Sequence, residues 1–409
     1  MEWDRCIAHV DMQAFFPSCE QVDFPELKNK AIAVTNGGGG TTIISSSYEA
    51  RAFGIKTGMR MQEALTLCPH LIKRASRPKR YSQISHNILD ALRELTPDME
   101  VFSIDECWLN LKPVIDLYGG IEKIESLIRK AVLESSGGIN CSIGISEGKL
   151  TAKFICGVNK GKTEIVSSKY IKQYMAPYPV SKICGFGKQI QEFLHAKNCY
   201  TVGDIQNAPF NMLSEKYGLV GKKLQLVCNG IDTDEVITTE KLPKSMGHSK
   251  ILPPYTKDRA MVENILLHLT FRLTRRMRLL NITSKTVSIY MKAQYTTIKH
   301  VYTFDKSNNC NHEFIKKVKE HLLKWKYEPL FQIGLNCNVL IHDNSHQSDM
   351  FDEPYDSKFL TLDRTMDEIN NRFGANTCIQ ATELFTDNKK IVPVIAFNFD
   401  ASSKTKNTL

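Results

Sequence analysis

The sequence predicts an α+β protein built from several domains. Its 409 residues are enough for two to four domains, each with its own hydrophobic core. Helix and strand patterns alternate irregularly over residues 1–165, give way to a helical and short-looped stretch, and return as a small α+β pattern after residue 245. The hydrophobic fraction of 42% and the charged fraction of 24% are typical of a soluble globular protein.

The elements of the first part follow from hydrophobic periodicity and turn residues. The opening CIAHVDM predicts a strand, and FFPSCEQ after it predicts a turn into a helix. The stretch KAIAVTNGGGGTTIISSSYEARAFG predicts strand, glycine turn, strand and helix; its glycines lack the GxxxxGK[ST] pattern of a phosphate loop, so a hairpin turn is preferred. An amphipathic helix in YSQISHNILDALRELTP ends at Pro97, and a further helix and strand follow in IEKIESLIRKAVLESSG and CSIGIS.

The second part begins with a helical stretch and ends in a mixed one. KICGFGKQIQEFLHAKNCYTVGDI holds a Gly-Phe-Gly turn that resembles a helix-hairpin-helix, whose backbone amides hold a nucleic-acid phosphate. DTDEVITTEKLPKS is polar and contains proline, so it predicts a linker. Beyond it we expect helices in ENILLHLTFRLTRRMRLL, FIKKVKEHLLKWKY and RTMDEINNRFG, and a strand in TVSIYMKAQY.

Positive charge is concentrated in one segment of the chain. Residues 245–343 hold 16 Lys and Arg against 7 Asp and Glu, a net charge of +9, whereas residues 344–409 hold 7 against 10, or −3. The remaining 30 basic and 27 acidic residues give +3 for residues 1–244. Such an asymmetry indicates a polyanionic partner, most simply nucleic acid, with a solvated basic face as the alternative.

Cysteine usage and hydropathy restrict the class of protein. The twelve cysteines form no CxxC and no paired histidine spacing, so we expect reduced thiols rather than disulfides or a structural zinc site. No run approaches about 18 apolar residues, and MEWDRCIAHVDM lacks the pattern of a signal peptide. We therefore expect a cytoplasmic protein that does not bind membranes.

The stretch FSIDECWLNL places two adjacent acids inside a strand-like pattern. Phe102, Ile104 and Trp108 share a face with Glu106, and a buried carboxylate needs a cation or hydrogen bonds. A kink or tight hairpin lets both Asp105 and Glu106 approach one place. With an acid from the end of the first strand, Asp11, they are candidates for a site of two divalent metal ions; acids at strand ends are more often simply solvated.

The motifs HVDMQAFFPSCE and SIDECWLNL resemble the two catalytic motifs of the Y-family translesion DNA polymerases, closest to bacterial DNA polymerase IV. SSSYEARAFGIKTGM, GISEGKLTAKF, the Gly-Phe-Gly turn and KSMGHSK are also similar to family segments, in the family's order. The resemblance implies a right-hand polymerase architecture. Its expected parts are palm (1–18 and 78–165), small fingers (19–77), helical thumb with helix-hairpin-helix (166–232), linker (233–244), α+β little finger (245–343), and clamp-binding tail with C-terminal extension (344–409).

The resemblance also implies roles for residues of the catalytic motifs. The expected ligands of two Mg²⁺ ions are Asp11, Asp105, Glu106 and the carbonyl of Met12. Phe16 is the expected steric gate against a ribose 2′-hydroxyl, whereas the Phe15 side chain belongs to the core and its backbone amide, like that of Phe16, faces the triphosphate.

Further residues are expected to bind the triphosphate. They are Ser45, Tyr48, Arg51 and Lys160. Arg51 suits a polyphosphate better than it suits a helix cap or a pair with Glu49. NKGKTEI departs from the family's Lys-Pro-Asn-Gly, so Lys162 is a rival to Lys160. Gln13 and Asn110 stand where many members have acids, and neither position need bind metal.

Two groups of residues are expected to contact DNA. Gly185 and Gly187 form the Gly-Phe-Gly turn, and Arg272, Arg275 and Arg276 share one face of a predicted helix. Both groups would contact phosphates and carry no sequence information.

One short motif lies in the acidic tail. In QSDMF the residues Gln347, Met350 and Phe351 are similar to the pentapeptide by which bacterial polymerases bind a sliding clamp; an unstructured tail is the alternative. The eukaryotic clamp motif needs aromatics where this chain has Glu353 and Pro354. No role is assigned to residues 352–409, which follow the motif.

The resemblance thus implies a monomeric, low-fidelity, template-directed DNA polymerase associated with chromosomal DNA. Its partners would be primer-template DNA, dNTPs and a bacterial-type sliding clamp. Two other classes are open. A nucleotidyl cyclase with a palm fold would not need the basic segment, and a catalytically silent adaptor would not need the three acids and Phe16.

Overall fold

The computed structural model describes residues 3–36, 41–239, 242–342, 357–374 and 377–380. The chain forms two compact units, which divide between residues 240 and 241. Within the described ranges the units contain both sheets and helices, which confirms the predicted α+β class. No helix in the described part is long and apolar enough to span a bilayer.

The described strands are β1 (Ile7–Met12), β2 (Ile32–Thr35), β3 (Ile43–Ser46), β4 (Ile72–Ala75), β5 (Met99–Val101), β6 (Glu106–Asn110), β7 (Cys141–Ser146), β8 (Thr163–Ile165), β9 (Met246–Thr256), β10 (Ile282–Ala293), β11 (Thr297–Asn308), β12 (Leu330–Cys337) and β13 (Leu340–His342). The described helices are α1 (Phe15–Asp23), α2 (Tyr48–Ala52), α3 (Met61–Leu67), α4 (Pro78–Leu95), α5 (Ile121–Ser136), α6 (Lys149–Val158), α7 (Ser168–Met175), α8 (Lys188–His195), α9 (Val202–Asn207), α10 (Met212–Cys228), α11 (Arg259–Leu279), α12 (Asn311–Leu322) and α13 (Ser357–Phe373).

A five-stranded sheet organises the first unit. Its strand order is β5-β6-β1-β7-β8, antiparallel except for the parallel pair β7–β8. Helix α6 packs against β1 and β7. A Cβ at Gly144 on β7 would lie 2.3 Å from the Ala152 carbonyl oxygen, so only glycine permits this close approach of the helix to the sheet.

Among the described residues, the first unit has further, smaller cores, and two of them belong to separate groups of elements. The three-stranded sheet β3-β2-β4 has its own cluster of buried side chains, which includes Ala33, Ile43 and Met61. Helices α7 to α10 share another, which includes Ile171 and Leu213. Separate cores are expected of subdomains that fold as partly independent parts.

The predicted linker has no helix or strand over residues 231–238, but its backbone is bound to the first unit. The Arg5 guanidinium donates to the carbonyls of Asp232, at 2.8 Å, and Asp234. The Ile237 amide donates to Glu100 at 2.6 Å. This part of the segment is therefore held in place rather than freely solvated.

The second unit has one sheet with helices packed on it. The strand order is β11-β10-β12-β9, all antiparallel, and β13 pairs with β10. Helices α11 and α12 pack together over a core that includes Leu266, Val287 and Phe314. Helix α13 packs against both α11 and α12.

The structure corrects two details of the sequence-based prediction. Residues 102–105 are a turn, so the strand begins at Glu106, and β5, the turn and β6 form a hairpin. The last helix begins at Ser357, earlier than RTMDEINNRFG indicates. All twelve cysteines are free in the structure. Gly37 to Gly40 lie outside the described residues.

Candidate active site

The end of β1 and the start of β6 lie side by side. Asp11 is directly opposite Glu106 in the antiparallel register, and the Met12 amide donates to the Asp105 carbonyl at 2.9 Å. Opposite residues in such a pair have Cα atoms about 4.5–5.5 Å apart. Three acids from distant parts of the sequence therefore meet at one corner of the sheet.

The hairpin turn explains why two adjacent acids can serve one place. The amides of Phe102 and Ser103 both donate to the Glu106 carbonyl, at 3.1 and 3.2 Å. The Ser103 hydroxyl donates to Asp105 Oδ1 at 2.5 Å. Because the turn interrupts the alternation of a regular strand, neighbouring side chains are not forced onto opposite faces.

Two lysines neutralise two of the acids, and a buried histidine, whose pKa is lowered by burial, lies beside one of them. Lys153 Nζ lies 2.5 Å from Glu106 Oε2, and His9 Nε2 lies 3.2 Å from the same oxygen. The Lys160 ammonium group forms an ion pair with Asp11. Helix α6 carries Lys153, and the loop after α6 carries Lys160, so the close packing of α6 on β7 positions both lysines.

Electrostatics distinguish the acids from one another. Burial alone would raise the pKa of Glu106, but hydrogen bonds and the positive charge around it outweigh burial and hold that pKa at about 2. Burial raises the pKa of Asp105, and the negative charges of Asp11 and Glu106 raise it further. Burial opposes the charge of Lys160, but the charge of Asp11 raises the pKa of that lysine.

The donor set fits divalent cations. Among the described residues no three Asp, Glu, His or Cys side chains are arranged as a ready-made metal site. The Asp105 carboxylate is poorly solvated, which raises its pKa, and the charges of Asp11 and Glu106 raise that pKa further; hard cations prefer such oxygen ligands. A metal ion has to compete with Lys153 and Lys160 for Glu106 and Asp11.

Two consecutive aromatic residues begin α1 beside this corner. The Phe15 side chain is buried in the core, as expected, and Phe16 is only partly buried. The ring of Phe16 stacks on that of Tyr81 from α4, with centroids 4.8 Å apart and an interplanar angle of 14°. Helix α4 also supports the β5–β6 hairpin, because Ser85 donates to the Ile104 carbonyl.

The residues expected to bind a triphosphate lie on β3, α2 and the loop after α6. The Arg51 guanidinium lies over the ring of Tyr48, 4.9 Å from its centroid, and donates to the Ser46 carbonyl at 3.0 Å. Tyr48 is exposed and contributes to the electrostatic environment of Lys160. Ser45 is partly exposed on β3. Of the two rival lysines, Lys160 is the one that contacts Asp11.

Comparison with known proteins identifies the family. Residues 10–157 match the impB/mucB/samB family, and residues 243–350 match the C-terminal domain of that family. The chain is 30% identical to DNA polymerase IV of Pelotomaculum thermopropionicum over 93% of this chain and 96% of that protein. It is 30% identical to DNA polymerase IV of Moorella thermoacetica over the same shares of each chain. It is 28% identical to DNA polymerase IV 2 of Bacillus subtilis, over 93% of this chain and 95% of that protein.

The chain belongs to the DNA polymerase IV group of the Y-family DNA polymerases. Membership in this family implies a requirement for divalent metal ions, in agreement with the carboxylate corner.

In this polymerase the Gly-Phe-Gly turn precedes α8. Gly185 has a φ of 102°, and a Cβ at this position would lie 2.8 Å from Leu224 Cδ2. Gly187 is the residue before the first turn of α8. The turn therefore needs glycine at 185 for both its backbone conformation and its packing on α10.

The three arginines expected to bind DNA have different environments. Arg272 is half-buried on α11 in the electrostatic field shared by His248, His268 and Lys250. The positive charge of Arg276 also acts on His248. Arg275, by contrast, donates to Asn371 of α13 at 3.1 Å and lies 3.6 Å from Asp367. Because α13 engages Arg275, the trio does not form one uniform face.

Several residues around the site were not identified from the sequence. They are His9, Glu20, Tyr81, Ser103 and Lys153. Lys149 and Lys153 are four residues apart on α6, and both ammonium groups lie over the ring of Trp108. That i, i+4 spacing directly after a buried strand is the one signal that would have indicated a basic helix face turned toward the β5–β6 hairpin. The clamp-like residues Gln347, Met350 and Phe351 lie outside the described residues.

Proposed function

We propose that the chain is a template-directed DNA polymerase of low fidelity that performs translesion synthesis. It transfers a nucleotide from a dNTP to the 3′-hydroxyl of a primer and releases pyrophosphate. The observation that carries this proposal is the corner at which Asp11 faces Glu106 with Asp105 beside them. Low fidelity and lesion bypass rest on the family alone.

Each of the four domains of a right-hand polymerase is assigned to one group of strands and helices. The sheet β5-β6-β1-β7-β8 is the palm, and the sheet β3-β2-β4 with α2 and α3 is the fingers. Helices α7 to α10 are the thumb, and the sheet β11-β10-β12-β9 with its helices is the little finger. Each assignment follows from the position of the element along the chain and its separate core.

The carboxylate corner provides for catalysis by electrostatics. Asp11, Asp105, Glu106 and the Met12 carbonyl would hold two Mg²⁺ ions, which would supply Lewis acidity to the primer hydroxyl and neutralise charge on the triphosphate. Lys153 and His9 keep Glu106 ionised and oriented before the ions bind. Lys160, once it leaves Asp11, is free to bind a phosphate. Positioning and charge neutralisation supply most of the barrier reduction.

The nucleotide is held by three parts of the first unit. Ser45, Tyr48 and Arg51 bind its outer phosphates with Lys160. The backbone amides of Phe15 and Phe16 point toward the triphosphate because they begin α1, where amides lack helical partners. The Phe16 ring lies under the sugar and excludes a ribose 2′-hydroxyl.

Contacts to primer-template DNA come from both units. The Gly185–Gly187 turn and the basic residues Arg272, Arg275 and Arg276 contact phosphates. The half-buried Arg272, together with Lys250, provides positive charge near β9. Arg275 contributes only after it releases Asp367.

The tail is proposed to bind a bacterial-type sliding clamp through Gln347, Met350 and Phe351. Deletion of residues 347–351 is expected to lower clamp-stimulated synthesis and to leave clamp-independent synthesis unchanged. Measurement of clamp binding by the full chain and by this deletion variant tests the assignment. Equal binding by the two proteins would refute it.

The polymerase activity itself is tested by primer extension with Mg²⁺ on undamaged and abasic templates. Extension with dNTPs is expected on both templates, and Phe16→Ala is expected to admit ribonucleotides. Failure to extend any primer, together with formation of a cyclic product from a free nucleotide, would favour the cyclase alternative. Monomeric state and a cytoplasmic location remain predictions of the sequence.

A further inference from the structure

A buried carboxylate lies one helical turn beyond Phe16. The Glu20 side chain on α1 has no exposed surface, and three groups donate to it. Its Oε1 accepts from the Tyr81 hydroxyl at 2.8 Å and from Arg77 Nε at 2.7 Å, while Oε2 accepts from Arg74 Nε at 2.9 Å. A buried carboxylate is costly unless it is bonded in this way, so the arrangement is specific.

The partners of Glu20 come from distant elements. Arg74 lies on β4, and Arg77 and Tyr81 lie at the start of α4. Glu20 therefore joins α1 to the place where the chain passes from β4 into α4. Since Phe16 and Glu20 are four residues apart on α1, their side chains lie on the same side of the helix.

Tyr81 connects this carboxylate to the Phe16 ring. Its side chain is fully buried, its hydroxyl is bonded to Glu20, and its ring is stacked on Phe16. Burial raises the pKa of Tyr81, and the bond to Glu20 raises it further, so the hydroxyl stays a donor. Glu20, Tyr81 and Phe16 thus form a chain of contacts, in which Tyr81 links the buried carboxylate to the Phe16 ring.

We propose that Glu20 and Tyr81 are positioning residues that determine sugar specificity. Glu20 fixes the hydroxyl of Tyr81. The Tyr81 ring then holds the Phe16 ring in the position under the sugar that rejects a 2′-hydroxyl. This inference rests on the proposed role of Phe16 as the ring under the sugar. A displacement of Phe16 by a fraction of an ångström is enough to change a steric rejection, because steric repulsion rises steeply with overlap.

The chain supplies a matched control on the same helices. Asp23 follows Glu20 on α1 and pairs with Arg77 at 2.8 Å and with Arg80 at 2.7 Å. These two ion pairs also join α1 to α4, and Asp23 shares Arg77 with Glu20, but the described contacts of Asp23 do not include Tyr81. Loosening of α1 on α4 can therefore be separated from loss of the hydrogen bond that holds the Tyr81 ring.

The test is single-nucleotide insertion by the full chain with a dNTP and with the matching ribonucleotide. Tyr81→Phe and Glu20→Gln are each expected to lower the ratio of kcat/KM for dNTP over ribonucleotide by about tenfold, a size typical of a small steric change in a binding site. The kcat/KM for the dNTP is expected to change by less than about twofold in Tyr81→Phe, which keeps the ring. Asp23→Asn is expected to leave the ratio unchanged.

The outcomes separate this inference from the proposed function. An unchanged ratio in Tyr81→Phe and Glu20→Gln, with ribonucleotides admitted by Phe16→Ala, overturns the positioning role and leaves the gate intact. If Phe16→Ala also leaves the ratio unchanged, the proposed role of Phe16 fails. An equal loss of the ratio in Asp23→Asn overturns the inference too, because general loosening would then explain the effect. Tyr81→Phe decides the matter if Glu20→Gln does not fold.

Discussion

Acids and bases meet in two clusters of this chain, and the clusters differ in how firmly their members are held. In the first unit, Asp11 pairs with Lys160, whose side chain is 43% exposed. In the second unit, Asp363 and Asp367 of α13 face Arg278 of α11, whose side chain is only 6% exposed. The first cluster contains lysine, a point charge on a flexible stem, and the second contains arginine.

The second cluster also has more hydrogen bonds for each charge. Arg278 binds Asp367 through Nε at 2.6 Å and Nη2 at 3.2 Å, and its Nη1 donates to the Asn309 carbonyl at 2.9 Å. Asp363 accepts from the amide and the side chain of Asn311, at 2.8 and 2.7 Å. Planar, multiply bonded and buried pairs are expected to be permanent.

The difference shows which ion pairs can exchange their partners and which only hold the fold together. Two carboxylates of the first cluster are neutralised by lysines that a cation or a phosphate can displace, so the corner is ready to exchange partners. The carboxylates of the second cluster are committed to packing α13 on α11. An acid–base pair can exchange its partner for a metal ion or a phosphate only when its members can be released at modest cost.

The largest effect is expected from Asp105→Ala. Removal of this carboxylate is expected to lower the rate of nucleotide addition by about 10³-fold, the size of losing a preorganised charge stabiliser. The affinity for primer-template DNA is expected to stay within about twofold of the parent, because Asp105 is not next to any residue that is predicted to bind DNA. Single-turnover insertion and a binding titration measure the two quantities. Normal extension by the variant would refute the assignment of the corner.

Arg278→Ala is expected to destabilise the second unit by about 3 kcal/mol or more, because it leaves Asp363 and Asp367 without their buried cation. Hydrogen exchange of the full chain measures this effect as a loss of amide protection in α11 and α13. Arg93→Ala is the control: Arg93 pairs with Asp90 on the surface of α4, and its loss is expected to cost less than about 1 kcal/mol. Equal protection in the Arg278 variant and the parent would show that the buried cluster does not hold α13.

Much of the fold could be predicted from the sequence because local patterns carry it. Short apolar segments indicated β1 and β7, and the amphipathic helical pattern indicated α4 and α5. The acid pair in FSIDECWLNL led to the hairpin, because a strand cannot place Asp105 and Glu106 on one face. The resemblance to a family added the functional reading of these acids.

The contacts that support the site could not be predicted, because they join elements far apart in sequence. Nothing local to Glu20 indicates that α1 packs on α4, so its bonds to Arg74 and Tyr81 were not foreseen. The docking of α13 was missed for a similar reason: acids on an amphipathic helix usually face water. Asp363 and Asp367 face Arg278 instead, which only the packing of α13 against α11 reveals.

Acid is expected to weaken the first cluster. The pKa of Glu106 is lowered from 4.5 to about 2, so Glu106 stabilises the folded, metal-free chain above pH 4.5 and loses that contribution as the pH falls from 4.5 to 2. We expect the stability difference between the parent and Glu106→Gln, about 2 kcal/mol at neutral pH, to shrink over this range. Urea unfolding in chelator at several pH values measures it. A difference that grows as the pH falls would contradict the pairing with Lys153.

The rival lysines are expected to differ by about 1.4 kcal/mol, or tenfold, in nucleotide binding. Lys160→Ala is expected to raise KM for dNTP about tenfold, because Lys160 lies beside Asp11 and near Tyr48. Lys162 is an exposed neighbour on the same loop, and Lys162→Ala is the matched control with a KM within about twofold of the parent. Steady-state insertion at varied dNTP concentration measures both. The reverse order would assign the phosphate contact to Lys162.

The smallest difference is expected between Arg272 and Arg275 in DNA binding. Arg272→Ala is expected to weaken binding of primer-template DNA about fivefold and to reduce the slope of log affinity against log salt by about 1. Arg275→Ala is expected to weaken it less than about twofold, because part of any phosphate contact by Arg275 is offset by breaking its contacts to Asp367 and Asn371. Titrations at three salt concentrations measure both slopes. If Arg275→Ala has the larger effect, α13 does not hold this arginine back from DNA, and the distinction drawn between exchangeable and committed pairs fails at that position.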